Sequence, residues 1–153
     1  LERMVDIDGQ LLLADDKLYV GSFQGNVAAL DAQSGRPLWV QPASTYVAPG
    51  VGYGGVFVSE ANGTVEAFDE GSSSALWSND SLARRQLTAP VVVSSYVAVG
   101  DFEGYLHLLA QADGRMVGRI KVDGDGLRAK PIVLGDTLFV FGNSGDLAAY
   151  KLQ

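Results

Sequence analysis

Lys17-Leu18-Tyr19-Val20-Gly21, a turn around Gln24-Gly25, Asn26-Val27-Ala28-Ala29-Leu30-Asp31, a turn at Gln33-Ser34-Gly35 and Arg36-Pro37-Leu38-Trp39-Val40 follow one another along the chain. Within each run, apolar side chains alternate with small or polar ones, the period of two that a half-buried or sandwiched strand requires. The turns carry glycine, or residues whose side chains tolerate positive φ. Just upstream, Leu11-Leu12-Leu13-Ala14 and the pair Asp15-Asp16 add one more strand and one more turn. Residues 11–40 therefore read as four short strands in an up-and-down arrangement. No segment has the length or the 3.6-residue spacing of a helix.

Working outward, the same scheme returns along the whole chain. A turn glycine recurs at Gly25, Gly63, Gly104 and Gly145, at spacings of 38, 41 and 41. Proline opens an apolar run at Pro49, Pro90 and Pro131, with Leu11 in that place in the first unit. Trp39 and Trp77 are 38 apart, and Gly118 stands 41 further on. Four-stranded units of about 40 residues are the signature of propeller blades. A solenoid of stacked sheets is the rival, but its repeats are usually shorter or contain a helix. The expected fold is all-β, a partial β-propeller of four antiparallel blades over 1–153, with approximate boundaries 9–46, 47–86, 87–127 and 128–153. The fourth unit stops at Leu147-Ala148-Ala149-Tyr150-Lys151, so its outermost strand is missing; in closed propellers that strand commonly comes from the other end of the chain. Four blades can form a small ring, but blades of this length more often sit in rings of seven or eight. An isolated half-ring would expose two blade faces and an unpaired edge, and two copies pairing to mimic a full ring is one expectation.

Composition bounds the partners. The 153 residues are 47% hydrophobic and 19% charged, enough for a real core. A net charge of −7 argues against general affinity for nucleic acid or anionic lipid head groups. The absence of cysteine excludes disulfides, thiol catalysis and cysteine-ligated metals, without fixing the compartment. No apolar run approaches a membrane span. Leu1 to Asp8 carries neither a signal-peptide pattern nor an initiator methionine, and reads as part of a longer protein.

Several stretches carry a resemblance: Arg3-Met4-Val5-Asp6-Ile7-Asp8, Gly25-Asn26-Val27-Ala28-Ala29-Leu30-Asp31 with Ser34-Gly35, Leu87-Thr88-Ala89-Pro90-Val91, and Val99-Gly100-Asp101-Phe102-Glu103-Gly104-Tyr105-Leu106-His107. The repeats are similar to those of quinoprotein dehydrogenases and of BamB, the outer-membrane protein assembly lipoproteins, and these stretches resemble the C-terminal half of the latter family. The resemblance implies an eight-bladed propeller anchored by a lipid to the periplasmic side of the outer membrane. It implies a non-enzymatic scaffold without cofactor, catalytic residue or metal, which binds the periplasmic (POTRA) domains of BamA, the barrel that inserts other barrels. Unfolded outer-membrane proteins are a further expected partner. An Asp-x-Asp that contributes to the BamA contact in that family matches Asp6 and Asp8. A loop bearing leucine and arginine that completes the contact belongs to an earlier blade, so the resemblance implies weak binding, or none, by this chain alone.

Strand polarity alone gathers charge on one rim. The loop entering each inner strand and the turn between second and third strands emerge together, which assigns Asp6, Asp8, Arg84, Arg85, Asp101, Glu103, Asp123, Asp125 and Arg128 to one face. Asp15-Asp16 and Asp136 fall on the other. Loops on a rigid scaffold are where binding residues concentrate. Arg84 and Arg85 join Asp6 and Asp8 as candidate partner-binding residues; the plainer reading of the two aspartates is solvated turn residues or caps of local backbone.

A quinone-dependent dehydrogenase is the alternative, since its blades share the Gly and Trp positions. Candidate oxygens for a quinone and calcium are Asn62, Asp101 and Asn143, which sit in turns where asparagine tolerates left-handed backbone. His107 is the one histidine, so no His cluster or Ser-His-Asp arrangement is supported; packing or hydrogen bonding is its expected role. Trp39 and Trp77 recur with the blade and are expected to fill space between blades. Gly124-Asp125-Gly126 lacks the Lys and Ser/Thr of a phosphate loop and the carboxylate series of a calcium loop. A third class is a chaperone-like scaffold that adds a client strand to an exposed blade edge.

Overall fold

The computed structural model describes residues 10–22 and 25–152, which form strands and turns and no helix. The strands, in chain order, are β1 (Leu11–Ala14), β2 (Lys17–Gly21), β3 (Asn26–Asp31), β4 (Pro37–Pro42), β5 (Gly50–Gly52), β6 (Gly55–Ser59), β7 (Val65–Asp69) and β8 (Ala75–Asn79). They continue as β9 (Val91–Val93), β10 (Tyr96–Gly100), β11 (Tyr105–Ala110), β12 (Met116–Lys121), β13 (Ile132–Leu134), β14 (Thr137–Phe141) and β15 (Leu147–Lys151). Each strand pairs antiparallel with its sequence neighbour, giving sheets β1–β4, β5–β8, β9–β12 and the three-stranded β13–β15. These are four propeller blades, the last without an outer strand.

The turns explain why the chain reverses where it does. First and second strands are joined by two-residue turns whose leading residues, Asp15, Tyr53, Ser94 and Gly135, have φ of 49°, 50°, 51° and 63°, as the twist of a tight hairpin demands. Between second and third strands, Gly25, Gly63, Gly104 and Gly145 have φ of 109°, 92°, 93° and 100°. Their N–H groups donate to the carbonyls of Ser22, Glu60, Asp101 and Gly142. Asn62 and Asn143, expected to tolerate left-handed backbone here, do not use it; glycine takes that conformation instead. Pro49, Pro90 and Pro131 each stand one residue before the inner strand.

The core lies between blades. Tyr19, Val27 and Ala29 of the first sheet meet Val56, Val58 and Phe68 of the second. Phe57, Val65 and Ala67 of the second meet Val97, Val99 and Leu109 of the third. Val91, Val93, Ala98 and Leu106 of the third meet Leu138 and Val140 of the fourth. Period two is thus satisfied on both faces, each sheet packing upstream with one set of side chains and downstream with the other.

A polar lock joins the perimeters. Trp39 Nε1 donates to the Glu70 carbonyl at 3.1 Å and Trp77 Nε1 to that of Gln111 at 2.7 Å. Two residues on, Gln41 and Asn79 donate their amides to the Ser73 and Gly114 carbonyls, at 2.8 and 2.7 Å. Both acceptors lie in the turn between third and fourth strands of the next blade. The tryptophans also pack on Tyr19, Phe68 and Phe57, so the space-filling role holds with a hydrogen bond added. In the third blade Gly118 and Ile120 occupy the two lock positions. Among the described residues the fourth blade has no outer strand and therefore no such turn to receive a lock.

Candidate functional site

The rim bearing the turns between second and third strands is tied together by backbone. Phe102 N–H donates to the Arg85 carbonyl, Arg84 N–H to Asn62, Ala61 N–H to Ser44 and Asn143 N–H to Gly126. Three of these bonds join a turn to the segment entering the inner strand of the same blade, and the Arg84 bond joins the second blade's turn to the segment entering the third. Tyr46, Gln86, Phe102, Arg128 and Asn143 border an open cavity of about 600 Å³ among these segments. The opposite rim has its own ties, such as Ala32 N–H to Asp16 and Leu152 N–H to Asp136, so Asp15-Asp16 and Asp136 lie away from the first rim as expected.

Asp6 and Asp8 lie outside the described residues. Of the other candidates, the structure brings Arg85, Asp101 and Glu103 together. Arg85 Nη1 is 3.0 Å from Asp101 Oδ2 and 3.6 Å from Glu103 Oε2. Arg84 is exposed, has φ of 65° and makes no ion pair among the described residues. Asp123 is a local cap: its carboxylate accepts from Asp125 N–H and from the N–H and hydroxyl of Ser144. The Ser144 hydroxyl foremost, with those backbone groups, holds it below the usual carboxylate range. Asp125 and Arg128 are exposed.

Asp101 is the hub. Its side chain is fully buried, and Oδ1 accepts from the N–H groups of Glu103 and Tyr105, both at 3.0 Å. Oδ2 takes Arg85 and, at 2.7 Å, His107 Nε2. Burial pushes this carboxyl up, but the hydrogen bonds from His107, Tyr105 N–H and Arg85 outweigh it and hold it below its ordinary value. Burial likewise disfavours the imidazolium of His107, which titrates below its ordinary value although Asp101 opposes the shift. His107 Nδ1 has no hydrogen-bond partner among the described residues. Neutral His107 therefore donates through Nε2–H and braces the turn beneath the rim, the hydrogen-bonding role expected of it.

In the second blade Glu60 and Glu66 occupy the places of Asp101 and His107. Glu66 is pushed up to about 7 by burial, then by its hydrogen bond to Glu60 and the charge of that group. The sequence reading missed both pairs; the visible signal was the six-residue spacing at the same repeat positions. The oxygens considered for a quinone and calcium are committed locally: Asn62 Oδ1 accepts Thr64 N–H, Asp101 is saturated, and Asn143 donates its amide to the Asp125 carbonyl. Among the described residues, no three His, Cys, Asp or Glu side chains are grouped as for a metal.

The family model described as outer membrane protein assembly factor BamB matches residues 1–79 and 61–153. The chain belongs to the BamB family. The BamB of Pseudomonas aeruginosa is 58% identical over the whole chain, which spans 40% of that relative's length. The crystal structure of BamB from Moraxella catarrhalis superposes with a TM-score of 0.86 at 30% identity, over 95% of this chain and 43% of that one. The computationally designed Ika4 protein superposes with a TM-score of 0.79 at 14% identity, over 99% of this chain and 94% of that one, a likeness of fold alone. The BamB resemblance carried by the quoted stretches thus holds over all four blades.

Proposed function

We propose that the chain is part of a non-enzymatic scaffold subunit of the outer-membrane β-barrel assembly machinery, aiding delivery or insertion of outer-membrane proteins. It works at the periplasmic side of the outer membrane, held there by a lipid on the longer parent. Its loop rim contacts the periplasmic (POTRA) domains of BamA through Asp6 and Asp8, assisted by Arg84 and Arg85. The observation that carries this reading is the family match along the whole chain to proteins named as assembly factors. The rim supports it physically. The Asp101 hub fixes the segment bearing Arg84 and Arg85, and Arg84 projects an exposed cation beside it. Preorganised charge on a rigid rim favours encounter with an oppositely charged surface.

The test is retention of BamA periplasmic domains by the full-length parent. Asp6→Ala with Asp8→Ala should reduce it, as should Arg84→Glu, and added salt should weaken the wild type. Undiminished retention by these variants across salt would refute the charged contact. Client binding is read separately, by crosslinking to an unfolded barrel protein with and without BamA; crosslinks that require BamA would remove the direct client role.

A further inference from the structure

The three junctions between consecutive blades repeat one another position by position, and all lie inside the arc. Thr45, Gln86 and Leu127 each stand four residues before the proline that precedes an inner strand. Gly21, Ser59 and Gly100 each stand four residues before the turn glycine of the preceding blade. The first and third junctions are closed. Thr45 N–H donates to the Ser22 carbonyl and Leu127 N–H to the Asp101 carbonyl, and each carbonyl also accepts from its own turn glycine. Thr45 and Leu127 are 0 and 2% exposed, and they lie against Gly21 and Gly100, where an added Cβ would overlap them. The middle junction is open. The Glu60 carbonyl accepts from Gly63 N–H and, among the described residues, from no backbone N–H of the segment entering the third blade. Gln86, unlike Thr45 and Leu127, has positive φ, 49°, and is exposed. Phe102 N–H still meets the Arg85 carbonyl, as Ala61 N–H meets that of Ser44 and Asn143 N–H that of Gly126, so the departure is confined to one residue. Ser59 carries a side chain where its counterparts are glycine. It is 3% exposed, and its hydroxyl has no hydrogen-bond partner among the described residues; an unpaired buried polar group is uncommon and costs free energy. Ser59, Glu60, Gln86 and Phe102 border the open cavity of about 600 Å³.

We infer that the middle junction docks an extended segment of another, unfolded polypeptide. The two closed junctions define the chemistry of the docked residue. It offers a backbone N–H to the Glu60 carbonyl, as Thr45 and Leu127 do to Ser22 and Asp101. It also places a side chain of threonine or leucine size in the gap beside Ser59. A threonine hydroxyl pairs with that of Ser59, which can donate or accept. The Phe102 ring, 46% exposed at the cavity border, supplies an apolar wall for a flanking side chain. Main-chain hydrogen bonding gives affinity and the pocket gives selectivity, and a pocket that reads shape without charge accepts many sequences. As a place for clients of the assembly machinery, the site rests on the scaffold reading above; the peptide contact itself requires neither BamA nor Asp6 and Asp8.

Fluorescence anisotropy of a labelled, end-capped hexapeptide copying residues 43–48, titrated with the full-length parent, tests it. The expected result is saturable binding, weakened about tenfold when the peptide's threonine is N-methylated and so loses its N–H. Gln86→Val disfavours positive φ, which returns this N–H to the Glu60 carbonyl and its side chain to the gap. That variant should unfold at a higher temperature and bind the peptide about tenfold more weakly. Gln86→Gly, which keeps the open backbone at no steric cost, should bind within about twofold of wild type. Asp6→Ala with Asp8→Ala should leave peptide binding unchanged. Absence of saturable binding would overturn the inference, as would equal binding of the N-methylated peptide or undiminished binding by folded Gln86→Val. A loss caused by the aspartate substitutions would also overturn it, by placing the peptide elsewhere on the rim. If the peptide results hold but Gln86→Val leaves crosslinks to an unfolded barrel protein undiminished, the peptide site stands and its use by clients is refuted.

Discussion

Replacing Asp101 by alanine tests whether the rim is held by one buried carboxylate. The substitution leaves His107 Nε2–H without an acceptor at a site 0% exposed, frees the N–H groups of Glu103 and Tyr105, and releases Arg85. An unpaired buried donor costs about 1–3 kcal/mol. The two turn amides add about 1 kcal/mol between them, because water reaches the shortened side chain. The partly exposed Arg85 pair adds at most about 1 kcal/mol. The expected loss is about 2–5 kcal/mol, a range that includes the cost of breaking a buried pair by removing one partner. Urea unfolding of the chain followed by tryptophan fluorescence and circular dichroism measures it, provided the slope with denaturant is unchanged. A double-mutant cycle with His107→Ala should show coupling of at least about 1 kcal/mol, since the two share one hydrogen bond. A loss below about 1 kcal/mol, or additivity with His107→Ala, would refute the reasoning. Arg85→Ala alone should cost under about 1 kcal/mol, because its end of the network is open to water.

Three further outcomes follow from the repeat. Trp77→Phe removes the bond to the Gln111 carbonyl while keeping most of the ring against Phe57; thermal unfolding should report a loss of about 1–2 kcal/mol, against about 3–5 kcal/mol for Trp77→Ala. Gly104→Ala should cost well over the roughly 1 kcal/mol of left-handed strain, because its Cβ would overlap the Asp123 carbonyl oxygen, whereas Gly25→Ala, with nothing within 4 Å, should cost only that strain; equal losses in urea would contradict the crowding. Glu66 titrates above its unfolded value, so the native state holds a proton that the unfolded state releases, and stability falls as pH rises from about 4.5 to about 7. Glu66→Gln should remove this fall, leaving the variant more stable than wild type at pH 8 by on the order of 1 kcal/mol and nearly equal at pH 4.5; parallel pH profiles would refute the pairing with Glu60.

The blade architecture was legible because it rests on local rules that repeat. A strand buried on both faces needs alternation, a turn with φ near 100° needs glycine, and a fourfold recurrence makes each signal check the others. Strand order, the missing outer strand and the interblade role of Trp39 and Trp77 came from that alone. The rim was legible only as polarity: which turns emerge together follows from up-and-down connection, but which charges touch does not. Arg85 and Asp101 are sixteen residues apart, and only the packing of the segment entering the third blade over that blade's own turn between second and third strands brings their atoms to 3.0 Å. The same holds for Tyr53 and Ser94, which adopt left-handed backbone that their side chains do not favour, because strand pairing on either side imposes it. It holds for Gln41 and Asn79 as well, whose amides gain meaning only from a carbonyl more than thirty residues away. Sequence determined what each strand and turn must be, since those energies are settled within a few residues. Tertiary structure decided which polar groups meet, because a hydrogen bond between blades is set by the rotation from one sheet to the next, and no local pattern encodes that angle.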